Sequence, residues 1–221
     1  MSAPVSIILP TYNEKDTIEP LVREIHQNIP SGSEIVVVDD NSPDGTGEII
    51  SGLQKEIPEI RLIRRQKRGL TSAIRDGIEA AEHDTVIWLD ADFAHPPKVI
   101  PRLCAVDRSV DIVVASRYVE GGHDGRDSFL RRLYSVLLNR FGRWYTGSAI
   151  HDLSSGFLRA RREVVLEIPF SGTYGDYCVD FVVRAEKRGF HIREVPYVNS
   201  EREKGYSKTT ESPLQFFRYV I

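Results

Sequence analysis

The stretch TVIWLDADFAHPP, residues 85–97, decides the fold because two carboxylates directly follow a short apolar run. The run Thr85–Leu89 predicts a strand that is buried on both faces, as in a parallel sheet covered by helices. Asp90 and Asp92 come next, one residue apart. Ligands of open α/β sheets bind outside the carboxyl ends of the strands. The stretch therefore predicts both a parallel sheet and a polar site at its edge.

Other apolar runs of the first half predict further strands of this sheet. They are Val5–Leu9, Glu34–Val38, Ile60–Ile63 and Asp111–Ala115. Segments with helical spacing lie between them, and Asp16 is expected to cap the first helix with Glu19 as its capping-box partner. This alternation of strands and helices indicates right-handed βαβ units, and so an α/β fold with a mostly parallel central sheet flanked by helices.

The pattern changes after about residue 117. A glycine- and charge-rich loop precedes an amphipathic helix from Ser128 to Tyr145, and strand, helix and strand patterns follow. The composition of the amphipathic helix suits either a membrane surface or packing against the core. We predict one domain over residues 1–221, with residues 1–116 binding one ligand and residues 117–221 shaping a second site.

The overall composition excludes several classes of protein. The formal net charge is −3, which provides no general attraction to nucleic acid. No run approaches the ~18 apolar residues of a transmembrane helix, and the N-terminus lacks the pattern of a signal peptide. These features predict a protein of the cytoplasm.

Polar residues follow the predicted strands at one edge of the sheet. In extended backbone, residues two apart point the same way, so Asp90 and Asp92 are expected to face one ligand. Two hard oxygen donors with open positions for water and phosphate suit Mg²⁺ or Mn²⁺. His95 is expected to pack in the loop and not to bind the metal ion.

Common nucleotide and hydrolase motifs do not fit the chain. Gly45 and Gly47 form a GxG after the second strand, but Ile50 occupies the position of the third glycine, so a dinucleotide site is disfavoured. A Walker A loop, GxSxG and HExxH are absent from the sequence.

Arginine and lysine residues form a second signal, because guanidinium groups bind phosphate in bidentate fashion. Arg117 ends the fifth predicted strand, Arg131 and Arg132 lie near the start of the amphipathic helix, and further basic residues occur in REKGYSK, residues 202–208. Together they favour a second site that binds phosphate.

Seven motifs, in this order, resemble those of family 2 glycosyltransferases with the GT-A fold, and more narrowly those of dolichol (polyprenol) phosphate mannose synthases. They are VSIILPTYNE (5–14), EIVVVDDNSPDGT (34–46), RGLTSAI (68–74), DADFAHPP (90–97), ASRYVEGG (115–122), DLSSGF (152–157) and REKGYSK (202–208). The resemblance covers most of the chain. It identifies the family more specifically than it identifies mannose as the transferred sugar.

The resemblance implies roles for individual residues. The matched nucleotide-sugar-binding positions are Pro10, Tyr12, Glu14, Asp40, Asp90, Arg202 and Lys208. Asp90 and Asp92 match the DxD carboxylates that hold the divalent ion. Arg117, Arg131 and Ser135 match positions that bind a lipid phosphate in the family. The resemblance therefore implies catalytic roles for Asp92, Arg117 and Arg131. Arg202 and Lys208 match a basic loop that lies over the diphosphate in the family. In this loop Lys204 replaces an arginine of some relatives.

The sequence departs from the family pattern at several points. Ala94 occupies a position where some relatives have a metal-binding glutamine, and Leu153 replaces a proline. Many relatives continue into transmembrane helices, so the apolar C-terminal segment is expected either to lead to a membrane anchor or to belong to a form without one. Asp152 and Asp180 are candidates for contacts to sugar hydroxyls.

The resulting hypothesis is a metal-dependent, inverting transfer of mannose from GDP-mannose to a polyprenyl or dolichyl phosphate at the cytoplasmic side of a membrane. Alternatives remain open at this stage. They are glucose or GlcNAc transfer from a UDP-sugar to a lipid phosphate or a saccharide, a non-catalytic module that binds nucleotide sugars, and a sugar-nucleotide pyrophosphorylase.

Overall fold

The computed structural model describes residues 3–66, 69–172 and 176–199. The strands are β1 (Ser6–Thr11), β2 (Glu34–Asp39), β3 (Ile60–Arg64), β4 (Thr85–Trp88), β5 (Ile112–Ser116), β6 (His123–Asp124), β7 (Leu158–Arg161), β8 (Ile192–Pro196) and β9 (Val198–Asn199). The helices are α1 (Ile18–Asn28), α2 (Thr46–Leu53), α3 (Leu70–Ala80), α4 (Ile100–Ala105), α5 (Phe129–Thr146), α6 (Arg162–Glu167) and α7 (Asp176–Lys187), with a 3₁₀ turn at Pro97–Val99 before α4. The five strands predicted in the first half are confirmed, as are the amphipathic helix and the later strand, helix and strand.

The central sheet has the strand order β3-β2-β1-β4-β7-β5-β8. Its pairs are parallel except where β7 lies antiparallel between β4 and β5. In this register Leu158, the first residue of β7, pairs with both Trp88 and Val114. The start of β7 therefore lies at the same edge as the carboxyl ends of β4 and β5. A short parallel pair, β6 with β9, forms a separate sheet. The predicted α/β class with a mostly parallel sheet is confirmed.

Apolar residues alternate along the central strands and form a core on each face of the sheet. Ile8, Val36 and Trp88 belong to the core shared with α3, α6 and α7. Ile7 and Ile35 belong to the core shared with α1, α2 and α4. This period of two reflects strands that are buried on both sides.

Helix α3 approaches the sheet closely at Gly77. A Cβ atom on this residue would lie 2.5 Å from Cγ2 of Ile8 and 3.0 Å from Cγ2 of Val38. Both neighbours are buried in the core, so neither has room to move away. Glycine is therefore required here by packing.

The predicted cap of α1 is wrong. The N-cap residue is Thr17, not Asp16, and the Thr17 side chain makes no capping hydrogen bond. The Thr17 hydroxyl donates instead to the carbonyl of Ala91, at 3.0 Å. Packing against the loop after β4 thus decides how this helix begins, and it fixes α1 to the predicted site.

None of the helices in the described ranges combines the length and the hydropathy needed to cross a bilayer.

Glu34 is a buried carboxylate at the start of β2. It accepts hydrogen bonds from the Ser6 hydroxyl (2.6 Å), the Glu82 backbone N–H (2.6 Å) and Arg61 Nη1 (2.9 Å). Burial raises the pKa of Glu34, but these bonds outweigh that effect and hold the pKa below its usual value. The charged form is therefore stabilised by folding.

We expect Glu34→Gln to lower the free energy of unfolding by about 2 kcal/mol at pH 7, because the donors lose a charged acceptor. The pKa of Glu34 is lowered by folding, so its contribution is fully present above the unfolded value near ~4.3 and is lost as the pH falls from there through the lower folded pKa. Urea unfolding at pH 7 and at about pH 3 should show the difference between variant and wild type shrinking in acid. Glu82→Gln is the matched control, since the exposed Glu82 also contacts Arg61 and should change stability by at most ~0.5 kcal/mol. An equal effect of both variants would contradict the assignment.

Candidate active site

The loops after β1, β2 and β4 each contain one residue other than glycine with positive φ. They are Asn13 (58°), Asn41 (58°) and Phe93 (62°). Asparagine tolerates this left-handed backbone, whereas a bulky aromatic residue is strained there. All three turns lie at the edge where ligand binding was predicted, and strain of this kind is concentrated at functional sites.

The loop after β1 is held against the loop after β2. The backbone N–H groups of Asn13 and Glu14 donate to the hydroxyls of Ser42 and Thr46, both at 2.9 Å. The predicted nucleoside-binding residues of this loop, Pro10, Tyr12 and Glu14, lie at or just beyond the end of β1, Pro10 buried and the other two half-buried. The structure thus brings the first two predicted motifs together.

Two adjacent carboxylates at the end of β2 bind different partners within the protein. Asp39 accepts from the backbone N–H and the hydroxyl of Ser42, at 3.1 and 2.5 Å. Asp40, predicted to hold the nucleoside, accepts from Arg65 Nε at 2.5 Å and from the Gly69 N–H at 2.8 Å. Asp40 is buried and therefore also shapes the loop before α3.

Arg65 was not predicted from the sequence. It follows β3 and joins Asp40 to Asp76, whose carboxylate lies 2.7 Å from Nη1. Burial lowers the pKa of Arg65, but the bonds to the two carboxylates outweigh this effect and raise the pKa. Its only sequence signal was its place directly after a strand.

The DxD carboxylates lie in the loop beyond β4. Strand β4 ends at Trp88, and a turn begins at Ala91. Because β4 ends two residues before Asp90, the strand does not by itself turn Asp90 and Asp92 toward one ligand, and their joint binding of a cation stays a prediction. Asp92 instead accepts the Ala94 N–H at 3.0 Å, which closes a local turn.

His95 packs behind the DxD turn. Its ring stacks on Phe157, with centroids 5.3 Å apart, and Nδ1 accepts the Asp90 N–H at 3.0 Å. The expectation of a packing role is confirmed, because Nδ1 is used within the loop. Gly156 lies opposite: a Cβ atom there would be 3.3 Å from His95 Cε1 and 3.9 Å from Asp90 Oδ2.

The donor set at this turn fits a hard divalent cation. Asp90 has a side chain that is 34% exposed, whereas Asp92 is 4% exposed. Carboxylate oxygens with remaining positions for water and phosphate match the chemistry of Mg²⁺ and Mn²⁺. Within the described residues, no cluster of three or more potential ligands occurs, and the methyl side chain of Ala94 offers none. The residues present can therefore supply two ligands.

Arg117 forms a buried ion pair with Asp152. Nε and the backbone N–H of Arg117 donate to Oδ2 at 2.8 and 2.9 Å, and Nη2 donates to Oδ1 at 2.7 Å. Burial lowers the pKa of Arg117, but the bonds and attraction to Asp152 outweigh this and raise it well above its usual value. Asp152 has no exposed surface, so the suggested contact between Asp152 and a sugar is wrong. Asp180 instead pairs with Arg184 along α7.

Tyr118 connects Arg117 to α5. Its hydroxyl donates to the Ser135 hydroxyl at 2.7 Å, and the Arg117 guanidinium carbon lies 5.0 Å from its ring centroid. Asp124, which is buried and pairs with Arg126, lies 3.8 Å from Arg117 Nη1. Arg117 and Ser135, predicted as members of one phosphate site, are therefore brought together through a residue that the sequence analysis missed.

Arg131 lies on the exposed surface of the first turn of α5, one helical turn before Ser135. Residues four apart on a helix are neighbours on its surface, so Arg131 can serve the same ligand as Ser135. The predicted basic loop, with Arg202, Lys204 and Lys208, lies outside the described residues.

Helix α5 has an inverted amphipathic pattern. Its buried residues are the polar Ser135 and Asn139. Its exposed large apolar side chains are Phe129, Leu130, Leu133, Tyr134, Leu137, Phe141, Trp144 and Tyr145. The alternative that this helix packs its apolar face on the core is therefore wrong. Contiguous exposed apolar surface of this kind marks an interaction site.

Comparisons with known proteins agree with this architecture. The family model described as "Glycosyl transferase family 2" matches residues 6–168. Polyprenol monophosphomannose synthase of Mycolicibacterium smegmatis is 35% identical over 218 residues, which cover 95% of this chain and 82% of the relative. Dolichol-phosphate mannosyltransferase of Pyrococcus furiosus is 37% identical over 222 residues, which cover 98% of this chain and 62% of the relative. The chain therefore spans about three fifths of this second relative.

A solved structure with a similar fold is glucosyl-3-phosphoglycerate synthase from Mycobacterium tuberculosis, crystallised with Mn²⁺, UDP and phosphoglyceric acid. The TM-score is 0.71 at 20% identity, over 97% of this chain and 73% of that one. At this identity the likeness supports the fold.

Asp40 and Asp76 allow a test of how the loop after β2 is held. Asp40→Asn should lower the free energy of unfolding by about 3 kcal/mol, because it removes the buried partner of a buried arginine. Asp76→Asn removes the partly exposed partner of the same arginine and should lower it by about 1 kcal/mol or less. Urea unfolding at neutral pH measures both. Equal decreases in the free energy of unfolding would contradict the expectation that the buried ion pair contributes more to stability than the partly exposed one.

Proposed function

The chain belongs to glycosyl transferase family 2, and we propose that it transfers mannose from GDP-mannose to a polyprenyl phosphate with the help of a divalent cation. In this proposal residues 1–116 bind the nucleotide sugar and residues 117–221 bind the acceptor. The reaction is an inverting transfer, in which the acceptor phosphate attacks the anomeric carbon and the nucleoside diphosphate leaves.

The observation that carries the proposal is the position of loop 152–157 between the Arg117–Asp152 pair and the DxD turn. At one end Asp152 binds Arg117, which follows β5. At the other end Gly156 faces Asp90, which follows β4. The loop then enters β7, the strand between β4 and β5. A cation-binding turn beside a buried arginine suits a reaction that joins a metal-bound diphosphate to a second phosphate.

On the donor side, Asp90 and Asp92 would hold Mg²⁺ or Mn²⁺, with water in place of a ligand from Ala94. When bound, the ion neutralises charge on the leaving diphosphate. Pro10, Tyr12, Glu14 and Asp40 would bind the nucleoside. Arg202 and Lys208 would cover the diphosphate from a loop that lies outside the described residues.

On the acceptor side, Arg117, Arg131 and Ser135 would bind the lipid phosphate. A phosphate monoester has a second pKa near ~6 and is largely dianionic at neutral pH. It can act as a nucleophile without a strong general base. Cationic and hydroxyl groups that orient the phosphate for in-line attack are therefore sufficient.

The choice of substrates is supported by the two relatives, which are named as mannose-transferring enzymes acting on polyprenol and dolichol phosphates. The Mycobacterium tuberculosis enzyme of similar fold was crystallised with Mn²⁺ and a nucleoside diphosphate. GDP as the nucleotide remains part of our proposal, and a panel of donors tests it.

We also propose that α5 binds the cytoplasmic surface of a membrane. Its exposed apolar residues alternate with Arg131, Arg132, Arg140 and Arg143. Apolar and arginine side chains together bind the interface of a bilayer with anionic lipids. Peripheral binding of this kind would hold the protein at the surface in which a lipid-linked acceptor lies.

The reaction is tested by incubating the protein with Mn²⁺ or Mg²⁺, a short polyprenyl phosphate and a panel of GDP- and UDP-sugars. We expect mass spectrometry to detect mannosyl-phosphoryl-lipid from GDP-mannose. Asp92→Asn should reduce the rate by about 100-fold or more, since it removes a charge that holds the cation but retains an oxygen for the Ala94 N–H. The matched control is Asp107→Asn, because Asp107 closes a similar turn by accepting the Ser109 N–H at 2.7 Å, remote from the site.

Other outcomes of this experiment support the alternatives. If only a UDP-sugar gives product, the donor is that UDP-sugar and not GDP-mannose. Release of pyrophosphate would indicate a pyrophosphorylase. Tight, metal-dependent nucleotide binding without any transfer would favour a binding module. Full activity of Asp92→Asn would exclude the proposed metal site.

Membrane binding by α5 is tested by co-sedimentation with vesicles that contain anionic phospholipids. Leu130→Ser combined with Trp144→Ser should weaken binding about tenfold or more, because both exposed side chains would lose apolar burial in the lipid. Leu166→Ser is the matched control, as Leu166 is an exposed apolar residue on α6 and should leave binding unchanged. Equal binding of wild type and the α5 variant would refute the proposed surface.

A further inference from the structure

Asn139 is a buried polar residue on α5, one turn beyond Ser135. It is 3% exposed, although large apolar side chains on the same helix face outward. Burying an amide is favourable only where its hydrogen bonds are made. The hydrogen-bond partners of Asn139 therefore indicate the role of this buried amide.

The side chain of Asn139 binds Ser154 at two atoms. Nδ2 donates to the Ser154 hydroxyl at 2.9 Å, and Oδ1 accepts the Ser154 backbone N–H at 3.2 Å. A second bond runs from Nδ2 to the Ser135 carbonyl, four residues earlier on α5, at 2.9 Å. The amide thus connects the helix to loop 152–157 through a pair of reciprocal bonds.

The Ser154 hydroxyl has its full complement of hydrogen bonds. It accepts from Asn139 Nδ2 and from Arg117 Nη2, at 2.9 and 2.8 Å, and it donates to Asp152 Oδ1 at 3.3 Å. A hydroxyl has one donor and two acceptor positions, so the proton must point to Asp152. Asn139 is consequently one hydrogen-bonded atom away from the Arg117 guanidinium.

A second connection between α5 and the Arg117 loop lies one turn earlier. The Tyr118 hydroxyl donates to Ser135, and the Tyr118 ring lies under the Arg117 guanidinium. Two connections one turn apart fix both the rotation and the position of a helix, whereas a single connection leaves a pivot. The Asn139–Ser154 pair is the connection farther along the helix.

We propose that Asn139 is a positioning residue that holds α5 in register with Arg117, so that Ser135 and Arg131 on the helix and Arg117 on the sheet meet the same acceptor phosphate. This inference rests on the proposed function and adds to it a residue that touches neither substrate. Removing the Asn139 amide would let α5 move relative to Arg117 and would weaken binding of the acceptor. The donor site, on the β1, β2 and β4 loops, would keep its geometry.

The test is a double-mutant cycle of Asn139→Ala and Ser154→Ala, assayed with a short polyprenyl phosphate and GDP-mannose. Each single variant should raise the KM for the lipid phosphate about tenfold while the KM for the nucleotide sugar stays within about twofold. The effect of the double variant should be smaller than the product of the two single effects, because both changes break the bond from Asn139 Nδ2 to the Ser154 hydroxyl. Ser154→Ala also serves if Asn139→Ala does not fold, and thermal unfolding identifies that case.

The matched control is Asn28→Ala in α1. Asn28 Nδ2 also donates to the carbonyl four residues earlier, that of Glu24, at 2.9 Å, and lies in a helix remote from the Arg117 loop. Its loss should leave both KM values unchanged, so that an effect at Asn139 cannot arise from the bond within the helix.

The outcomes separate the inference from the proposed function. A wild-type protein that makes no lipid product overturns both. A wild-type protein that makes the product, with folded variants whose acceptor KM is unchanged, overturns the positioning role alone. An equal rise of both KM values, or multiplicative effects in the double variant, likewise overturns it, since either result indicates a general structural role.

Discussion

The buried ion pair of Arg117 and Asp152 is the interaction on which the second half of the molecule depends. Two charges removed from water are tolerated only when nearly every hydrogen-bonding position is used. Here Asp152 accepts three bonds from Arg117, and the Asp152 and His151 N–H groups donate to Glu194 on β8. This arrangement fixes the loop before β7 to the end of β5 and to the middle of β8. The loop that faces the DxD turn is therefore held by electrostatics as well as by packing.

The edge formed by the loops after β1, β2 and β4 is held in a different way, since short polar side chains fix its backbone turns. Ser42 and Thr46 accept backbone N–H groups from the loop after β1, and Asp92 accepts one within its own turn. Such local bonds allow the backbone to adopt positive φ at Asn13, Asn41 and Phe93. The loop before β7 relies on the buried Arg117–Asp152 pair, whereas this edge relies on hydrogen-bonded turns. Both meet at Gly156, where the absence of a side chain lets the loop approach Asp90 and His95 closely.

Much of this fold could be predicted from the sequence because a parallel sheet buried on both faces leaves a strong local signal. The first five strands follow directly from short apolar runs. The polar edge follows from the three of these runs that are followed by Asp or by Pro-Thr-Tyr. The position of β7 could not be predicted, because an antiparallel strand of four residues between β4 and β5 is set by pairing over long distances. The same limit applies to Arg65, Tyr118 and Asn139. Each is one polar residue among many in the sequence, and only the fold shows which partner it meets. The cap of α1 failed for a related reason, since Thr17 binds a carbonyl 74 residues away.

Helix α5 shows most clearly why pattern alone was insufficient. Its periodicity predicts a helix with one apolar face, but periodicity does not tell which face lies against the protein. In a water-soluble domain the apolar face would be buried, and the polar Ser135 and Asn139 would face solvent. Here the reverse holds, so the protein side of the helix provides hydroxyl and amide groups to the Arg117 network. If a bilayer supplies the apolar environment, hydrophobic burial within the protein no longer determines the rotation and position of α5. Its register must then come from directional bonds, and the bonds that reach the Arg117 network are those of Ser135 and Asn139. Polar contacts suit this task, because directional hydrogen bonds specify the rotation and position of a helix more closely than apolar packing does.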